Sequence, residues 1–96
     1  MGGAARRDIE SALKKKGFVE RPGDHRFYSL IVEGKETQIR TKISTGKSYA
    51  IYGEPLLSRM RQQLHLPSRT LLEDFINCPL EAEDYLDLLR GQGDLQ

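Results

Sequence analysis

Apolar residues first recur at helical spacing. Ile9, Ala12 and Leu13 line one side of the segment from Arg7 to Lys16, which predicts an amphipathic helix. Asp8 and Glu10 near its start and Lys14, Lys15 and Lys16 near its end suit the helix dipole. Gly17 supplies a left-handed stop, with Phe18 positioned to pack back onto the helix. The period then changes. Phe18 to Arg21 reads as a short strand, and Arg21-Pro22-Gly23-Asp24 as a tight turn. His25 to Val32 is aromatic and β-branched, which predicts a second strand. The chain turns at Glu33-Gly34-Lys35-Glu36. Thr37 to Ile43 then alternates with the period of a strand that has one buried and one wet face. Ser44 to Ser48 reads as a loop, and Tyr49 to Tyr52 as a fourth short extension.

Helical spacing returns after Gly53-Glu54-Pro55, where Pro55 suits a first-turn position. Leu57, Met60 and Leu64 mark the buried stripe, with Leu56 alongside. Pro67 ends this helix. Ser68 can cap the next, whose apolar face is Leu71, Leu72, Phe75 and Ile76. Pro79 breaks the chain again. A last helix carries Ala82, Tyr85, Leu86 and Leu89 on one side, with Glu83, Asp84 and Asp87 turned outward. The order is helix, three antiparallel strands, helix and two further helices. An antiparallel sheet with helices on one face makes an α+β layer fold.

The register of the central hairpin decides which face each strand residue occupies. A three-residue loop, Glu33 to Lys35, pairs Val32 with Glu36 and draws His25 and Phe27 to the side of Ile39 and Ile43. A four-residue loop, Glu33 to Glu36, pairs Val32 with Thr37. Tyr28, Leu30 and Val32 then join Ile39 and Ile43. His25, Phe27, Ser29 and Ile31 share the other side with Gln38, Arg40 and Lys42. The second register separates polar from apolar better. It leaves Phe27 and Ile31 on an open face, a cost unless something covers or binds them.

At 96 residues, with 38% hydrophobic and 30% charged content, the chain suits one soluble globular domain with a single core. No apolar run reaches the roughly 18 residues of a membrane span, and MGGAARRDIE lacks the apolar stretch of a secretory signal. Cys78 is the lone cysteine, so an internal disulfide is excluded and a reduced, cytoplasmic setting is expected. Net charge is +1, yet the halves differ. Residues 1–48 carry eleven Lys/Arg and six Asp/Glu, a net +5, and residues 49–96 carry four and eight, a net −4. The basic half suits a polyanion such as nucleic acid. An ordinary mixed surface gives the same count.

The order helix, Gly17-Phe18 at the first strand, then Gly23-Asp24-His25 entering the second strand resembles the HicA-type (YcfA-like) toxins. The later run Leu56-Leu57-Ser58-Arg59-Met60-Arg61-Gln62-Gln63-Leu64 is similar to that family's closing helix. The resemblance covers roughly residues 7–66, leaving residues 67–90 as a helical extension. It implies an α-β-β-β-α fold like a double-stranded-RNA-binding domain. It also implies the activity of an mRNA interferase, silenced by a partner antitoxin, with His25 as catalytic residue. Three features depart from the family pattern. Asp24 stands where a small Ser is usual, the loop Ile43-Ser44-Thr45-Gly46-Lys47 lacks a histidine before its Gly, and two helices follow Pro67.

Metal-free RNA cleavage needs a base for the 2′-hydroxyl proton, and one imidazole in a positive groove can serve. Lys or Arg would stabilise the charge developing on the phosphate. By strand and loop position the candidates are Arg26, Arg40, Lys42 and Lys47, and the Asp24 carboxylate could orient His25. The plain alternative is that His25 is a strand-edge residue with no task, on a module that binds RNA or protein without cleaving it. His65 near a helix end reads as a favourable charge on the dipole, and Cys78 as a packed thiol. Two histidines and one cysteine, widely spaced, make no metal site, and no cofactor motif is present. Gly46-Lys47-Ser48 lacks the glycine spacing of a phosphate loop. The acidic C-terminal helices either complete the core or form a docking surface. Their regular apolar stripes favour core completion.

Overall fold

The computed structural model describes residues 3–21, 26–43, 51–77 and 80–95. Strand β1 (Ala4–Ala5) runs directly into helix α1 (Arg6–Lys15), followed by β2 (Phe18–Arg21), β3 (Phe27–Val32), β4 (Lys35–Lys42) and β5 (Ile51–Tyr52). Helices α2 (Leu56–Gln63), α3 (Arg69–Asn77) and α4 (Ala82–Gly91) complete the chain. The class is α+β, with a three-stranded antiparallel sheet in the order β2-β3-β4.

Local chemistry sets the boundaries. Gly17 takes φ +93 at the end of α1, as expected for the stop. Ser68 Oγ accepts the Leu71 N–H at 3.2 Å, capping α3. Glu81 and Asp84 form a reciprocal capping box at the start of α4. Pro55 is the N-cap of α2, one position before the helix proper.

The β3–β4 hairpin departs from both registers weighed above. Val32 pairs with Lys35, so the connection is only Glu33-Gly34, with φ of 54 and 79. Two positive φ values in a two-residue loop match the right-handed twist of the strands. The register then shifts between Ile31↔Glu36 and Ser29↔Arg40. Leu30 alone stands against Thr37, Gln38 and Ile39, so β4 carries two extra residues. Two is an even number, so the alternation of faces survives the bulge. From Ser29 back to Phe27 the pairing is the one a four-residue loop would give. Thr37 holds the irregularity together. Its Oγ1 donates to the Leu30 carbonyl at 2.9 Å and accepts the Ile39 N–H at 3.2 Å.

The short fourth extension pairs with β1, an element the hydrophobic pattern does not reveal. Ala4 lies opposite Tyr52 and Ala5 opposite Ile51 in a separate two-stranded ribbon. The approach is so close that a Cβ on Gly3 would collide with the Tyr52 carbonyl.

One contiguous core forms between the sheet and the helices. Phe18, Tyr28, Leu30, Ile39 and Ile43 from the sheet side meet Ile9 and Leu13 of α1, Leu57 and Met60 of α2, and Leu72 and Phe75 of α3. Residues of the C-terminal helices are integral to it. The Phe75 and Tyr85 rings stand 5.0 Å apart, and Phe18 lies 6.2 and 6.0 Å from them. Burying each such ring contributes about 1.5–3 kcal/mol. Tyr85 Oη donates to the Leu64 carbonyl at 2.8 Å, tying α4 to the end of α2. This packing is what core completion by the extension requires.

Candidate functional site

Alternation along β3 divides the expected site residues between two environments. Tyr28 and Leu30 face the helices, and both are fully buried. Arg26, just before β3, belongs to that side. Its Nη2 meets Glu10 Oε1 of α1 at 2.6 Å and its Nε meets Glu20 Oε2 of β2 at 2.5 Å. Tyr28 Oη donates to the same Glu10 oxygen at 2.8 Å. Charge-assisted bonds of this kind are short and strong. They raise the proton affinity of Arg26, chiefly through Glu20, and hold the Glu20 carboxyl below its usual range, chiefly through Arg26. Burial, helped by the bond to Glu10, pushes Tyr28 up to about 12. Arg26 is therefore a clasp between α1 and the sheet and does not join Arg40 and Lys42.

Arg40 and Lys42 do come together on the opposite face. Lys42 pairs with Phe27 and Arg40 with Ser29, so all four point away from the helices. The Arg40 guanidinium lies over the Phe27 ring, 5.7 Å from its centre, within cation–π range. Val19 of β2, opposite Ser29, is 44% exposed on the same face. A brace missed in the sequence crosses it. Arg21 Nη2 of β2 meets Glu36 Oε1 of β4 at 3.0 Å, and β3 lies between those strands. Fifteen residues separate the two, and no local spacing marks them as partners. Beneath this layer Ser29 is fully buried, and its Oγ has no hydrogen-bond partner among the described residues.

His25, Asp24 and Lys47 lie outside the described residues, as does Cys78. His65 sits just past α2 at φ 61, with Nδ1 3.2 Å from Asp94 Oδ1. It therefore faces a carboxylate of the C-terminal segment as well as the end of α2. Among the described residues no group of three or more His, Cys, Asp or Glu side chains could hold a metal ion, and no helix is long and apolar enough to cross a membrane.

The open face thus offers a planar ring capped by a planar cation, a second cation beside it, and small apolar surface at Val19 and Ile31. Such a surface can stack an unpaired base and neutralise the adjoining phosphate. Comparisons with family models, curated proteins and solved structures give no significant match to this chain.

Proposed function

We propose that the protein binds RNA through the sheet face that carries Phe27, Arg40 and Lys42. The observation that carries this is the Arg40 guanidinium 5.7 Å from the Phe27 ring centre, with Lys42 directly opposite Phe27 in register. An aromatic–guanidinium platform next to a lysine supplies stacking and phosphate attraction at once. Apart from the short β1 and β5, the order α1-β2-β3-β4-α2 is also that of a double-stranded-RNA-binding-like fold of HicA type, with α3 and α4 added. In that assignment the protein is an mRNA interferase of a toxin–antitoxin pair. His25 removes the 2′-hydroxyl proton without a metal, while Arg40, Lys42 and Lys47 stabilise the phosphate, and an antitoxin protein silences it. A non-catalytic RNA-binding module would use the same platform.

Fluorescence anisotropy with a labelled single-stranded oligoribonucleotide tests the binding. Phe27→Ala is expected to weaken affinity by about 5- to 150-fold, the loss of one stacked base at roughly 1–3 kcal/mol. Arg40→Lys keeps the charge but loses the planar contact, so it should recover only part of the loss in Arg40→Ala. Affinity should fall steeply with salt. A flat salt response, with Phe27→Ala and Arg40→Ala binding as the parent does, sinks the proposal. His25→Ala separates the two forms of it: cleavage lost with binding retained marks the enzyme, and no cleavage by the parent protein marks the module.

A further inference from the structure

A second feature lies at the other margin of β4, where the sheet meets α2 and β5. A pocket of about 80 Å³ opens there, lined by Lys42, Tyr52, Leu56, Arg59, Met60 and Gln63. Tyr52 and Met60 form its buried base, each 2% exposed. The polar lining consists of donors. Arg59 and Gln63 stand four residues apart on α2, hence on one side of the helix, and β4 contributes its backbone at Lys42, whose side chain lies on the open face. The orientation of Gln63 is fixed by its partners. Its Oε1 accepts the Thr41 hydroxyl at 2.6 Å and the Lys42 backbone N–H at 3.3 Å. A backbone N–H only donates, so the carbonyl end must face β4 and the NH₂ end keeps both hydrogens for another acceptor.

No carboxylate of the described residues lines this pocket. Five other arginines, Arg6, Arg21, Arg26, Arg69 and Arg90, do meet a carboxylate. The Arg59 guanidinium has no ion-pair partner among the described residues. The space is several times the roughly 10–15 Å³ that a single water needs, so a small polyatomic anion such as phosphate fits it. We infer that this pocket is a subsite for a single phosphate group, held by the Arg59 guanidinium and the Gln63 amide. The group is either free phosphate or a phosphodiester of RNA. The site does not need the Arg40–Phe27 platform, and in an RNA complex it adds a backbone contact on the far side of β4.

Titration of the full-length protein by ¹H–¹⁵N NMR tests this, with inorganic phosphate replacing chloride at constant ionic strength. Saturable shifts are expected at the Arg59 Nε–H, the Gln63 side-chain amide and the Lys42 amide. Arg59→Gln should weaken binding at least tenfold while Arg61→Gln, whose parent guanidinium donates to the Leu66 carbonyl at 2.9 Å, leaves it unchanged. Arg59 is exposed, so the variant is expected to melt as the parent does; Arg59→Lys, retaining charge and part of the binding, is the second variant. A parallel titration uses an oligoribonucleotide without terminal phosphates. The same shifts with it support a phosphodiester ligand, and shifts with inorganic phosphate alone support a free one. Absence of saturable shifts with both probes overturns the inference, as does equal weakening in Arg59→Gln and Arg61→Gln. RNA binding that is lost in Arg40→Ala but untouched in Arg59→Gln, with no phosphate shifts, would remove this subsite and leave the platform standing.

Discussion

Arg26, Glu10, Glu20 and Tyr28 make a single cluster from α1 and two strands, and its protonation links side chains to stability. Burial, and then the bond that the Tyr28 hydroxyl donates to Glu10, keep that proton on the folded protein to about pH 12. In the unfolded chain the phenol ionises near its ordinary value of 10. Between those values the unfolded state binds fewer protons, and rising pH favours it. Stability is therefore expected to be intact below about pH 10 and to fall by about 2 kcal/mol as pH approaches 12. Tyr85, also pushed upward by burial, adds to the same decline. Urea unfolding at a series of alkaline pH values checks this. Tyr28→Phe should flatten the decline; an identical slope in parent and variant would show that the phenol is not responsible. On the acid side the sign reverses for Glu20, whose depressed carboxyl loses its contribution as pH falls through its folded value.

The hairpin shows at the level of elements what the pattern of residues can and cannot carry. Glu33 holds φ 54, a conformation that Cβ disfavours and that Asn tolerates better. Glu33→Asn is expected to raise the unfolding free energy by roughly 0.5–1 kcal/mol, measured as a higher urea midpoint at unchanged slope. A lower midpoint would mean that the Glu side chain has a task in the turn. That strained Glu also explains the misreading of the loop, because Glu-Gly lacks the Asn-Gly signal of a two-residue turn. The bulge was hidden for a related reason: Thr37 supplies its compensating bonds, and Thr is equally at home in a regular strand. Helices α1 to α4 were legible because apolar spacing and caps such as Ser68 agreed. The face of Arg40 and Lys42 was legible from alternation. By the same alternation Arg26 belonged with Tyr28, but its neutralising Glu10 lies sixteen residues away on another element. Of the ribbon, only the β5 side was marked in the sequence, within the extension Tyr49 to Tyr52; β1 left no pattern, since two alanines do not alternate.

For the molecule as a whole, the extension decides whether the sheet has a core to fold against. Deleting residues 68–96 removes Phe75 and Tyr85 from Phe18 and strips α3 from α1 and α2. The expected product lacks a cooperative thermal transition and is poorly soluble. A truncated chain that melts cooperatively, followed by circular dichroism, would show instead that residues 1–67 fold alone. Charge follows the same division, with the platform in the basic half of the chain and the acidic helices packed behind it. The β1–β5 ribbon adds a temporal dimension. The Glu33-Gly34 hairpin closes over two residues and can form early, whereas Ala5 and Ile51 meet only after the intervening chain has been brought together. Joining such distant segments carries the larger entropic cost of a long loop. The ribbon therefore belongs among the last contacts to assemble and the first to open, like a clasp fastened over a finished structure. Residues 3–5 are then the natural point of entry for solvent exchange and for proteases.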